Sequence, residues 1–222
     1  MKQVTIELYQ FSELDDTAKN TALDKMRHTN LDYGWWDFVY DDFKTIAEFV
    51  GIAVDLNKCY FSGFYHQGQG SSFTASVDIK KLLQGVQTKA WKEHAPDAKL
   101  NFPAMDIDKR ILDLIQRDII DTWAQVKPTN REIAITVSID FNFSYNRCKN
   151  YNCIEDELSR LEEDIAEVCK ELNHFLFASL QREYEYQCSD IAVAQTIEAN
   201  EYSFTADGRP ADCIERLTTQ TT

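Results

Sequence analysis

The clearest pattern in the chain lies at residues 133–143. Ile133, Ile135, Val137, Ile139, Phe141 and Phe143 alternate without a break against Ala134, Thr136, Ser138, Asp140 and Asn142. A period of two is that of a strand with one buried face, and a one-residue slip would turn the whole apolar set to water. One wet face predicts an antiparallel sheet covered on one side, not a doubly wound parallel sheet. The same alternation, shorter, marks strands at Val4–Leu8, at Cys59–Phe64 and at Ser71–Ile79. The latter two are joined by Tyr65-His66-Gln67-Gly68-Gln69-Gly70, where the glycines allow the positive φ of a hairpin loop. Tyr202 and Phe204 predict a last short strand, and Ala206–Arg209 a turn.

Helical spacing takes over between these runs. Ser12 and Asp15 read as a capping box that opens a helix to about Arg27, with a thin apolar face of Leu14, Ala18, Ala22 and Met26. Trp35 to Val50 carries a broad apolar surface, as expected of a helix enclosed by other elements. A helix is expected near 80–94. Another is capped by Asp106, with a stripe of Ile111, Leu112, Ile115, Ile119, Trp123 and Val126, and stops at Lys127-Pro128. The longest helix, about 153–186, opens on an Asn152/Glu155 capping box. Its seam of Ile154, Leu158, Leu161, Ile165, Val168, Leu172 and Phe175 keeps heptad spacing. Ser189 caps a final helix to about Ala199. The expected fold is α+β: one domain over residues 1–210, an antiparallel sheet of four to five strands covered on one face by helices, and a flexible tail at 211–222.

Charge sharpens the picture. The net charge is −14, and residues 151–200 hold twelve Asp or Glu against three Lys or Arg. No basic stripe exists, which disfavours direct binding of nucleic acid. The long helix concentrates the acid: Glu155, Glu162, Glu163 and Glu167 lie between the seam positions, opposed only by Arg160 and Lys170. Such a face is either a solvated helix back or a surface for a basic or nucleic-acid-binding protein. The heptad seam leaves a structural homodimer as a further reading. No stretch approaches the roughly 20 apolar residues of a membrane span. Met1–Glu7 has no apolar core of a signal peptide, so an intracellular, cytoplasmic protein with reduced thiols is expected.

Candidate chemistry is sparse. His28, His66, His94 and His174 are scattered, and Cys148 and Cys153 are spaced too widely for a zinc knuckle, with no second pair to complete one. No catalytic or phosphate-cradling motif occurs, so no metal, cofactor or catalytic residue is assigned and the reading leans away from an enzyme. The most site-like stretch is the loop of Tyr65, His66, Gln67 and Gln69. It offers an aromatic, an imidazole and two amides to a polar surface or a small ligand, unless its side chains bond to their own backbone.

Several stretches carry a resemblance: Trp35–Lys44, Phe61–Phe73, Glu183–Asp190 and Ala199–Arg209. They resemble a family of small proteins of tailed bacteriophages and prophages, often labelled antitoxin-like. The resemblance implies a phage accessory protein acting inside a bacterium, where such proteins often bind and neutralise a host factor, and acidic ones can do so by imitating DNA. The expected function is therefore antitoxin-like or counter-defence inhibition through the acidic helix face. The rival from another class is a small-molecule binder or enzyme built on the 63–73 hairpin and the aromatic helix at 35–50.

Overall fold

The alternating segments pair as a four-stranded antiparallel sheet. A computed structural model describes residues 6–144 and 154–211. Val4, the Asn152 half of the expected capping box, Cys148, Cys153, Cys213 and residues 212–222 of the tail lie outside the described residues. The fold is α+β, and the chain divides into two compact units, Trp36–Gln181 and Met1–Trp35 with Arg182–Thr222.

In the larger unit, β2 (Ile52–Phe61), β3 (Ser71–Val77), β4 (Ile120–Pro128) and β5 (Ile135–Phe143) run in the order β2-β3-β4-β5. Register places Val54 beside Ala75, Ala75 beside Val126 and Val126 beside Val137, so one apolar row crosses all four strands. The neighbouring row on the other face runs from Ala53 and Ser76 through Gln125 to Ser138 and is exposed except at the half-buried Gln125. Helix α2 (Asp37–Phe49) covers the apolar face, its Phe43 ring packed edge-on against Phe73 at 5.1 Å. Helix α3 (Ile79–Thr88) buries Ile79, Leu82, Leu83 and Val86, and its N-cap Asp78 accepts from Lys81 N–H. Its Gly85 lies so close to the end of α2 that a Cβ would stand 2.6 Å from the Phe49 carbonyl oxygen.

The long helix is α5 (Ile154–Gln187), of which the part to Gln181 belongs to this unit. Its seam is buried from Ile154 to Leu172 and then shifts: Phe175 is half-buried, while Leu176 and Leu180 are fully buried. Steps of four from Leu172 onward follow the natural 3.6-residue turn of a straight helix, not the 3.5 of a supercoil. The apolar stripe is thus consumed within the chain, each buried leucine contributing about 1.5–3 kcal/mol. Asn173 fastens α5 to the sheet: its Nδ2–H donates to the Ser71 carbonyl at 2.9 Å, and the Ser71 hydroxyl lies 3.1 Å from its Oδ1.

Two expectations fail here. The helix capped near Asp106 is only α4 (Lys109–Gln116), capped by Asp108, and Ile119, Trp123 and Val126 are not on it. Residues 120–128 form β4 because Ile120, Ala124 and Val126 also fit a period of two, and Arg117–Ile119 turn the chain with Asp118 at φ 55°. Trp123 points outward and is 53% exposed. The first strand of the sheet also differs: β2 begins at Ile52, seven residues before the expected start at Cys59, and stops at Phe61. Its register breaks between Asp55 and Cys59, which pair with the consecutive residues Thr74 and Phe73. The three residues between them form a bulge, folded by the Asp55 carboxylate, which accepts from Asn57 N–H at 3.2 Å and pairs with Lys58 at 3.1 Å.

The smaller unit holds β1 (Tyr9–Gln10), α1 (Asp16–Met26), α6 (Asp190–Ala199) and β6 (Ser203–Phe204), with β1 and β6 antiparallel. The expected first strand is displaced: Ile6 and Leu8 are about half exposed and precede β1. The α1 cap is Asp15, accepting from Ala18 N–H at 2.8 Å, while Ser12 lies in a separate 3-10 turn. Phe11, Leu14, Ala18, Ala22, Val193, Ile197 and Phe204 form this unit's core. Arg27 donates to the Cys188 carbonyl at 3.0 Å and to Asp190 at 2.9 Å, tying the α1 end to the start of α6.

Candidate functional site

Helical spacing sets the acidic face of α5. With the seam buried, Glu155, Glu162, Glu163 and Glu167 all stand exposed on the opposite side. Glu155, Glu162 and Glu163 carry no ion pair among the described residues; Glu167 pairs with Lys170 at 3.5 Å, and Arg160 is taken up by Glu157 at 3.0 Å. The crowding leaves a mark on the half-buried Asp164, whose carboxyl is raised above its ordinary value by burial and then by the Glu163 charge.

The loop between β2 and β3 is closed by its own groups. Gln69 Oε1 accepts from His66 N–H at 2.7 Å, Ser62 N–H donates to the Gly70 carbonyl at 3.1 Å, and Gly70 N–H donates to Ser62 Oγ at 3.1 Å. Gly63 and Gly68 take φ of 86° and 81°. Gln69 is therefore part of the loop's scaffold, whereas Tyr65, His66 and Gln67 are exposed at its tip. The structure does not gather the loop and the acidic face into one site. The loop meets α5 through Phe64 at Phe177, while Glu155 to Glu167 lie about 15–33 Å further toward its start at 1.5 Å per residue.

A third feature was legible in part: the aromatic helix at 35–50 is one of its walls, and the sequence did not show the other. An open cleft of about 640 Å³ separates α2 from the β2 bulge. From α2 come Trp36 and Tyr40, one turn apart, with Asp37 and Asp41 one turn apart beside them. The opposite wall is Asn57, Cys59, Tyr60 and Phe61. Trp36 meets Phe61 edge-on at 5.7 Å, and Phe61 stacks on Phe64 at 5.7 Å, so the aromatic wall is braced from behind. Asp37 and Asp41 are exposed, and among the described residues they carry no ion pair and no Lys, Arg or His lines the cleft. Its thiol and phenol are held protonated: burial and then the Asp55 charge push the Cys59 thiol up to about 12, and burial with the Cys59 and Asp37 charges raises the Tyr40 hydroxyl. Cys59 therefore offers no thiolate at neutral pH. The i, i+4 pairing of two aromatics beside two carboxylates was the available signal, read instead as part of a core-facing helix.

A family model for a domain of unknown function, DUF8835, matches residues 35–190. The chain belongs to the DUF8835 family. The DUF8835 match runs from the start of α2 into α6, and so takes in the cleft, the hairpin loop and the acidic face of α5 together. No curated protein and no solved structure matches the sequence. Among the described residues no group of His, Cys, Asp and Glu is arranged to hold a metal ion, and no helix is long and apolar enough to cross a membrane.

Proposed function

We propose that this DUF8835 protein binds and inhibits a basic or nucleic-acid-binding protein in the cytoplasm of a bacterium, as a phage antitoxin-like or counter-defence factor. The observation that carries the reading is the α5 surface, where Glu155, Glu162 and Glu163 are exposed and without counter-ions among the described residues. Like charges held on one helix repel one another, and a basic surface would relieve that repulsion while releasing their hydration. A row of carboxylates on a rigid rod also offers negative charge in the manner of a phosphate backbone. The buried seam supports a partner other than a second copy docked along that stripe, since Leu158 to Leu172 are already covered.

The test is capture from bacterial lysate by the tagged protein, compared with the quadruple variant Glu155→Lys, Glu162→Lys, Glu163→Lys, Glu167→Lys and with its four-fold Gln counterpart. The wild type is expected to retain one stoichiometric partner near 0.05 M salt and to lose most of it near 0.5 M, because exposed charges are screened beyond the Debye length. Both variants, folded by circular dichroism, are expected to retain none. A partner held equally by wild type and variants, or no partner at either salt, would overturn the reading.

A further inference from the structure

We infer that the cleft between α2 and the β2 bulge is a receptor for the guanidinium of an arginine side chain presented by the partner protein; the inference rests on the reading of this protein as a binder of basic partners. Three features of the cleft converge on that group. Its walls are aromatic: exposed Tyr60 and half-buried Trp36 line it, together with Tyr40, which is buried. Its charge is of one sign, supplied by Asp37 and Asp41, which are unpaired among the described residues. Its volume, about 640 Å³, accepts a long side chain together with its flanking backbone.

Chemistry separates arginine from the other candidates. Phosphate, nucleotide or any anion meets two carboxylates and, among the described residues, no positive side chain. A lysine ammonium satisfies the charge, but it is compact and strongly hydrated and gains little from flat walls. The guanidinium is planar and weakly hydrated, stacks on aromatic faces and presents a fork of donors to carboxylates. The two aspartates stand at i and i+4 on α2, one helical turn apart, beside the Trp36/Tyr40 pair at the same spacing. A planar cation entering between Trp36 and Tyr60 thus meets both carboxylates on the α2 side of the cleft. The bulge is what opens the space, because a regular β2 would place residues 56–58 in the ladder instead of beside α2.

The experiment titrates the full chain with acetyl-Gly-Arg-Gly-amide and with the same peptide carrying citrulline, which is neutral and nearly isosteric. The readout is the Trp36 indole N–H resonance, assigned by its loss in Trp36→Phe. The arginine peptide is expected to shift that resonance saturably and citrulline to leave it in place. Asp37→Asn with Asp41→Asn, both at exposed positions, is expected to weaken binding at least about tenfold. A silent Trp36, an equal response to citrulline, or undiminished binding by the double variant would each overturn the assignment. The two readings fail separately. If Trp36 is silent while reversal of the α5 acids still abolishes partner capture, the cleft assignment falls and the basic-partner reading stands. If Trp36 responds as expected while that reversal leaves capture unchanged, the α5 reading falls and the cleft assignment stands.

Discussion

Replacing Gly85 by alanine sets two known effects against each other. Alanine gains about 1 kcal/mol over glycine inside a helix, so an open position on α3 would be stabilised. At Gly85, however, the new Cβ would lie 2.6 Å from the Phe49 carbonyl oxygen and 2.8 Å from Val50 Cα. Both are backbone atoms at the end of α2, where the Val50 N–H is bonded to the Ala47 carbonyl at 3.1 Å, so neither can swing aside. Ordinary contact begins near 3.4 Å, which requires α3 to retreat by about 0.8 Å. That retreat opens a gap along Ile79, Leu82, Leu83 and Val86, none more than 7% exposed. A gap of that size forfeits about a quarter to a half of the dispersion contact it spans, on side chains each contributing about 1.5–3 kcal/mol. After the helix-propensity gain, the net expected loss is about 1–3 kcal/mol, the range typical of overpacked cores. Urea unfolding followed by circular dichroism measures it, with Gln84→Ala on the exposed side of α3 as a control expected within about 0.5 kcal/mol of wild type. A Gly85→Ala midpoint equal to or above that of the wild type would show that α2 and α3 do not approach so closely.

Asp164→Asn is expected to raise the melting temperature at pH 7 and to leave it unchanged below about pH 3. The folded state holds the Asp164 proton more tightly than the unfolded chain does, so ionisation costs stability as pH rises through the carboxylate range, and the cost persists above it. Equal melting temperatures at both pH values would refute the assigned crowding by burial and Glu163. Cys59 and Cys169, both with thiols pushed up to about 12, are expected to resist iodoacetamide in the folded protein at pH 8, where about one in 10⁴ would be ionised, and to react on unfolding. Peptide mapping reads the outcome, and modification of folded Cys59 at the rate of a free thiol would contradict its burial.

The elements legible in the sequence were those whose pattern fits only one period. The unbroken alternation at 135–143 leaves no helical solution, and the seam from Ile154 to Leu172 leaves no strand solution. Residues 111–126 satisfied both. Their helical stripe hid β4 because the turn between α4 and β4 has no glycine or proline to announce it; Asp118 takes the left-handed conformation instead. The β2 bulge did carry a signal, Asp55 and Asn57 at Asx-turn spacing, but it lies before the expected strand start at Cys59, where no strand was sought. Without the bulge there was no space to see beside Trp36, so the aromatic helix at 35–50 stood as a rival site with no opposite wall. At the 62–70 loop the residue types left two readings open. Gln69 takes the self-bonding one, while Tyr65, His66 and Gln67 keep the exposure that drew attention to them.

The two edges of the sheet are unequal, and this bears on how the protein behaves when concentrated. Among the described residues the far side of neither β2 nor β5 carries a strand. Along β5 the ladder to β4 is unbroken from Ile135 to Phe143, so its outer side repeats a regular row of N–H and C=O groups, a template for edge-to-edge pairing. Along β2 the excess residues at 56–58 and the charged Asp55–Lys58 pair break that row. Accretion of copies into a larger sheet is therefore obstructed at one edge, and a lysine placed on β5 is the substitution that would guard the other.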